Sequence, residues 1–265
     1  MKQVALRVDD VGAASKALEI YGHTRFELGP FQIPFPGNFL FFKYLKPFRG
    51  WGPYSELKPD QWKIILDYCR KDRLKLTLGI TAGWVERNGA VVPFPVKYPK
   101  QADILKKALK EGYLEIANHG LTHCVLEGRA FRPRLFSGNR QWHREFWDWI
   151  LPEIQEDHIK KAQEILQDFF EEPVVTFIPP GNIFSDVTLE IAKKYGLRYI
   201  SCKGIDAKKI NYLIPIPEEQ VIAFHDKELI EQGVMWFKKI KNSFLNSKIV
   251  SIKEIGQHLK IGARE

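Results

Sequence analysis

Three short stretches of this chain close in side chains that can hold an ion or move a proton. Glu115-Ile116-Ala117-Asn118-His119-Gly120-Leu121-Thr122-His123 sets two imidazoles four residues apart, just past an apolar run. Leu6-Arg7-Val8-Asp9-Asp10-Val11-Gly12 ends in two adjacent carboxylates and a turn glycine. Val221-Ile222-Ala223-Phe224-His225-Asp226 again runs apolar into titratable residues. Two imidazole nitrogens and a carboxylate oxygen suit a divalent ion, and three protein ligands leave a position for water. Asp10, His119 and His123 are the candidate ligands. An ion there acidifies water and polarises a carbonyl. Asp9 is then placed to take a proton and His225 to give one, with Asp226 or another carboxylate orienting that imidazole. Together these parts describe metal-assisted hydrolysis of an amide or ester. Singly, each has a plainer reading: a surface histidine pair, a helix N-cap, a loop turn. Their shared position at strand exits sets them apart.

The elements that must position them follow a strand-helix rhythm. Strands are expected at 3–8, 74–80, 113–117, 174–178, 198–201, 212–214, 221–224 and 249–251. Helices are expected at 13–21, 60–71 behind Pro59, 101–110 closed by Gly112, 153–170, 185–195 capped by Ser185, 229–244 and up to about 259. Residues 22–58, 84–99 and 124–150 read as long loops. This alternation predicts a parallel α/β architecture. With about seven strands and chemistry at their ends, a (β/α) barrel fits better than an open sheet. No Gly-x-Gly-x-x-Gly follows strand one, which disfavours a dinucleotide fold.

The same motifs, in the same order, resemble the polysaccharide deacetylase (NodB-homology) family, in a divergent branch. Val8-Asp9-Asp10-Val11-Gly12 resembles its Asp-Asp motif, and His119-Gly120-Leu121-Thr122-His123 its His-Ser/Thr-x-x-His motif except at Gly120. Ile178-Pro179-Pro180-Gly181-Asn182 is similar to its Arg-Pro-Pro-Tyr-Gly segment, and Ile222-Ala223-Phe224-His225-Asp226 to its last, histidine-ended strand. The resemblance covers about residues 3–230. It implies a distorted (β/α) barrel of about seven strands and removal of an acetyl group from a sugar. It also implies a divalent metal, often zinc, on Asp10, His119 and His123, with Asp9 as base and His225 as acid. Ile178 stands where the family has the arginine that steadies the base. Arg7, on the same side of strand one as Asp9 by alternation, is the candidate replacement. Gly120 and Asn182, the latter replacing the family's tyrosine, alter the pocket wall. Arg7, Pro180 and Asn182 are therefore the candidate substrate contacts.

Several function classes are bounded by the whole chain. It has 265 residues, expected to form one domain, residues 1–265. Its 45% hydrophobic and 27% charged residues are ordinary for a globular protein with a large core. The net charge of +8 sits largely on helical lysines, without a nucleic-acid signature. Three widely spaced cysteines, Cys69, Cys124 and Cys202, do not make a disulfide framework and fit a reducing compartment. No leader pattern precedes strand one and no apolar run approaches the roughly 18 to 20 residues of a membrane span. A cytoplasmic location is expected. The aromatic stretch at 31–54 reads as core and lid, or as a surface for sugar or membrane. Arg129, Arg132, Arg134, Arg140 and Arg144 suit a phosphate- or lipid-phosphate-linked sugar, or form a solvated basic loop. His23, His143, His158 and His258 have no motif around them and no assigned role. Two alternatives to the deacetylase stand: a non-catalytic, glycan-binding barrel, and an amidohydrolase acting on a non-carbohydrate.

Overall fold

The computed structural model describes residues 2–13, 20–22, 25–34, 49–51, 56–86, 89–125, 144–205 and 210–262. The chain opens with β1 (Lys2–Val11), β2 (Ile20–Gly22), β3 (Arg25–Leu28), β4 (Phe31–Pro34) and β5 (Arg49–Trp51). Then come α1 (Pro59–Lys71), β6 (Leu76–Ile80), β7 (Gly83–Val85), β8 (Val91–Pro93), α2 (Phe94–Lys97), α3 (Pro99–Lys110) and β9 (Leu114–Asn118). The second half runs α4 (Pro152–Phe170), β10 (Thr176–Phe177), α5 (Asp186–Lys194), β11 (Tyr199–Ile200), β12 (Ile214–Pro215) and β13 (Val221–His225). It finishes with α6 (Asp226–Gln232), α7 (Met235–Ile240), β14 (Ser247–Ile249) and α8 (Ile252–Gly262).

The main sheet has the order β12-β11-β10-β9-β6-β1-β13, with β14 paired to the start of β1. Its pairings are parallel. The seven strands curl into an incomplete barrel with helices outside, the distorted (β/α) barrel expected. β6 and β9 are buried at every position, as a sheet covered on both faces requires. α1 turns Trp62, Ile65, Leu66 and Cys69 inward, a helical stripe at i, i+3, i+4 and i+7. α8 covers the N-terminal end of the barrel, where Ile252 and Ile255 join Ala5, Val175 and Tyr199 in a second buried cluster. Among the described residues no helix is long and apolar enough to cross a membrane.

Four expectations are corrected. Residues 20–22 form β2, paired antiparallel with β5, and do not end a helix that begins at 13; residues 14–19 lie outside the described set. The long loop at 22–58 contains the β3–β4 hairpin, turned at Gly29 with φ of 60°. The loop at 84–99 contains the β7–β8 hairpin and the short helix α2. The helix at 229–244 is two helices, broken at Gly233 with φ of 53°. In each case a glycine or a tertiary strand pairing overrides local helical or polar composition. Most of the aromatic stretch, 35–48 and 52–55, lies outside the described residues, as do Arg129, Arg132, Arg134 and Arg140.

One irregularity of the sheet matters for function. The pairing of β1 with β6 shifts register between Val8 and Val11, and Asp10 sits there at φ of 68°. Bulges of this kind re-aim a side chain at the end of a strand. Gly12, at φ of 82°, lets the chain turn away: a Cβ there would meet the Thr81 carbonyl oxygen at 2.8 Å.

Candidate active site

The bulge delivers Asp10 to the histidine turn that follows β9. Asp10 Oδ1 lies 3.2 Å from His119 Nε2 and 2.9 Å from His123 Nε2. One ligand atom from each residue falls within 4.8 Å of the others. Both histidines are 2% exposed, whereas the Asp10 side chain is 20% exposed and marks the open side. Burial opposes charge on Asp10. The neighbouring His123 and His119 imidazoles outweigh it by charge and hydrogen bonding, holding the carboxyl well below its ordinary range. His119 Nδ1 lies 2.7 Å from the Ile178 carbonyl oxygen, and a carbonyl only accepts, so Nδ1 carries a proton and Nε2 is the nitrogen turned toward Asp10. An imidazole oriented through its far nitrogen is the usual form of a metal-binding histidine. The donor set and its convergence therefore fit a divalent cation.

Beside this cluster stands a second carboxylate. Asp9 is 8% exposed and its Oδ2 accepts from Arg7 Nη2 at 2.8 Å. Arg7, 4% exposed, is itself held by Ser201, whose carbonyl oxygen and Oγ both lie 2.9 Å from Nη1. Asp9 Oδ1 is buried without a hydrogen-bond partner among the described residues. Ile178 is fully buried in the place of the motif arginine, so the cation beside Asp9 comes from two residues upstream on its own strand.

His225 lies opposite Asp9 in the β1–β13 register. Its side chain is 55% exposed and its Nδ1 is 3.9 Å from Glu228 Oε2, which also accepts the His225 backbone N–H at 2.9 Å. Asp226 is fully buried at the start of α6, so Glu228 is the carboxylate beside the imidazole. Arg7, Asp9, Asn182, Lys203, Glu218 and His225 line one cavity of about 340 Å³. Asn182, at φ of 57°, accepts the Lys203 N–H at 2.9 Å. Position by position, Ile178-Pro179-Pro180-Gly181-Asn182 sets Gly181 at the motif's tyrosine and Asn182 at its glycine, and both hold positive φ. Pro180 packs instead on the histidine turn: a Cβ on Gly120 would lie 3.1 Å from Pro180 Cγ.

Sequence reasoning missed a buried group behind the histidines. Glu145 is fully buried and accepts from Leu121 N at 3.1 Å, Thr122 N at 2.6 Å and Thr122 Oγ1 at 2.9 Å. His158 Nδ1 lies 2.7 Å from Glu145 Oε1. Arg144 is in contact with the His123 ring and donates to the His123 carbonyl at 3.2 Å. One signal was available: Gln155, His158 and Gln163 share the inward side of α4 with Ile159, Ala162 and Leu166. Polar residues on an apolar helix face need buried partners.

A curled (β/α) barrel with an Asp-His-His cluster at its strand ends defines a class, and the comparisons place the chain within it. Residues 51–200 match the polysaccharide deacetylase family, and the chain belongs to that family. The Xyl-CE4 domain of a multidomain xylanase from the hindgut metagenome of Trinervitermes trinervoides has a similar fold. It is 13% identical over 98% of this chain and 91% of that one, with a TM-score of 0.50. A family 4 acetyl xylan esterase from Clostridium thermocellum, in complex with a cobalt ion, is 12% identical over 96% and 90%, TM-score 0.49. A CE4 family pseudoenzyme from Bacillus anthracis is 14% identical over 96% of this chain, TM-score 0.47; the chain spans 65% of its length. No curated protein matches the chain.

Proposed function

We propose that this chain is a divalent-metal-dependent deacetylase. Residues 1–265 act as one catalytic domain that removes an acetyl or similar acyl group from an N-acylated sugar or glycan precursor. The observation that carries the reading is the convergence of Asp10, His119 and His123 on one point beside a buried, half-satisfied Asp9. Family membership supports an acylated carbohydrate as the substrate. Asp10, His119 and His123 would hold the ion, which would acidify a water molecule and polarise the acyl carbonyl. Asp9 Oδ1, without a hydrogen-bond partner among the described residues, would take a proton from the attacking water as the C–O bond forms. Arg7 holds Oδ2 and so fixes which oxygen faces the reaction. His225, beside Asp9 on the neighbouring strand and lining the same cavity, would give a proton to the amine nitrogen as the C–N bond breaks. The products are a carboxylic acid and a free amino sugar.

Two observations favour the second reading, a barrel that binds glycan without turning it over: Ile178 in the arginine's place and Arg144 against the His123 ring. The deciding experiment incubates the metal-loaded protein with N-acetylglucosamine oligomers and with acetylated xylan, and measures free acetate. Acetate that a chelator abolishes is expected from at least one substrate. A protein carrying one equivalent of metal that binds these glycans and releases none is the binding barrel.

A further inference from the structure

Both family positions occupied by glycine, Gly120 and Gly181, face one dipeptide. A Cβ on Gly120 would fall on Glu145 Oε2 and come within 3.0 Å of its Cδ. A Cβ on Gly181 would lie 2.9 Å from Arg144 Nε and 3.2 Å from its Cγ. The space that two motif side chains would take is thus filled from residues 144 and 145, more than twenty positions beyond the histidine turn. Both dipeptide side chains are buried, Arg144 at 6% and Glu145 at 0% exposure.

We propose that Arg144-Glu145 is a bracket that compensates these two departures, and that Glu145 is the positioning residue of the metal-binding turn. Between His119 and His123 the turn leaves two consecutive backbone N–H groups, Leu121 and Thr122, pointing inward, and Glu145 takes both; the Thr122 hydroxyl lies between Glu145 Oε1 at 2.9 Å and the Cys124 carbonyl oxygen at 2.5 Å. His158 fixes the carboxylate from behind. Two oxygens with about four acceptor directions can serve these donors together, whereas a glutamine offers one oxygen and adds an amide that opposes the N–H groups. On the turn's other side Asn118 Oδ1 accepts Gly120 N at 2.9 Å, and Arg144 holds the carbonyl of His123, whose φ of 66° is maintained by these contacts. Gly120 is therefore the partner of Glu145: a serine or threonine there and a glutamate at 145 exclude one another in this backbone.

The anchoring is independent of the metal, whereas its effect on affinity rests on the deacetylase reading, so the test has two arms. In metal-free protein, Glu145→Gln should speed amide exchange at Leu121 and Thr122 at least tenfold, with exchange in β6 unchanged. Cobalt(II) affinity, read by calorimetry and the visible cobalt spectrum, should fall about 10- to 100-fold, as for other residues that orient metal ligands. A double-mutant cycle checks the pairing. Gly120→Ala should weaken cobalt binding at least tenfold in the wild type and at least threefold less than that in a Glu145→Ala background, where only the strain of a φ of 78° and the Pro180 contact remain. If Glu145→Gln does not fold, Glu145→Asp, which withdraws the carboxylate by one methylene, takes its place. Wild-type exchange rates in the substituted protein, or the same Gly120→Ala loss in both backgrounds, would overturn the bracket. A wild type that binds no cobalt would instead count against the deacetylase reading, leaving the exchange arm to decide on Glu145.

Discussion

Asp9, near the C-terminal end of β1, and Glu115, near the N-terminal end of β9, are carboxylates of similar burial, 8% and 7% exposed, at opposite ends of one sheet. Glu115 is saturated. Its oxygens accept from Thr77 Oγ1 at 2.8 Å, from Thr176 Oγ1, and from the Lys253 N–H at 3.1 Å, which seats the first turn of α8. Among the described residues Asp9 is fixed by one arginine through one oxygen, and the other has no hydrogen-bond partner. Positive φ at non-glycine residues occurs at both ends: Asp10, His123 and Asn182 at the C-terminal end, and Arg73 and Glu171 in the turns that enter β6 and β10. Left-handed conformations of non-glycine residues cost of order 1–2 kcal/mol each. The N-terminal end is closed by a regular helix and its hydrogen bonds. An unused acceptor is tolerated where chemistry is to be done, and satisfied where the fold only needs closing. This matches the division between the two faces of β/α barrels.

The largest effect that tests this division is on turnover. Asp9→Asn should keep its metal and lose about 10²- to 10⁴-fold in kcat, the usual contribution of a positioned base. Normal turnover in steady-state assays would move the base elsewhere. Next comes stability: Arg7→Ala leaves the Asp9 charge buried and alone, and urea unfolding should show a loss of about 3–5 kcal/mol. A loss below about 1 kcal/mol would mean that Asp9 is not tied down as described.

The smallest effect belongs to the saturated end. Burial pushes the Glu115 carboxyl above its ordinary 4.5, although its hydrogen bonds oppose the shift. The folded state then binds the extra proton, so stability is fully present below pH 4.5 and falls as pH rises through the higher folded value. Glu115→Gln should abolish that fall while costing about 1–3 kcal/mol in acid, because an amide cannot accept from all three donors. An unaltered pH dependence of unfolding would show that Glu115 does not titrate differently in the fold.

Much of this contrast can be read in the sequence. Asp9, His119 and His225 lie at the exits of apolar strands, and strand alternation already puts Arg7 on the side of Asp9. The pairing of Arg7 with Asp9 needs only a two-residue period. Other features need the third dimension. The bulge that turns Asp10 toward the histidines has no signature beyond an Asp able to adopt positive φ. Glu145 lies in an aromatic stretch without periodicity, and its partners Leu121 and Thr122 are brought to it only by the fold. Local helical composition at 20–21 loses to the strand pairing of β2 with β5, and that at 229–244 is interrupted at Gly233. His158, without a motif of its own, becomes interpretable once the inward side of α4 is seen to face Glu145.

The most direct test of the central claim is the metal content of the purified protein by elemental analysis, wild type beside His119→Ala, after incubation with zinc, cobalt or manganese. The account predicts close to one equivalent of a divalent metal in the wild type and a background level in the variant. Background levels in both would contradict it and leave a barrel that binds without hydrolysing.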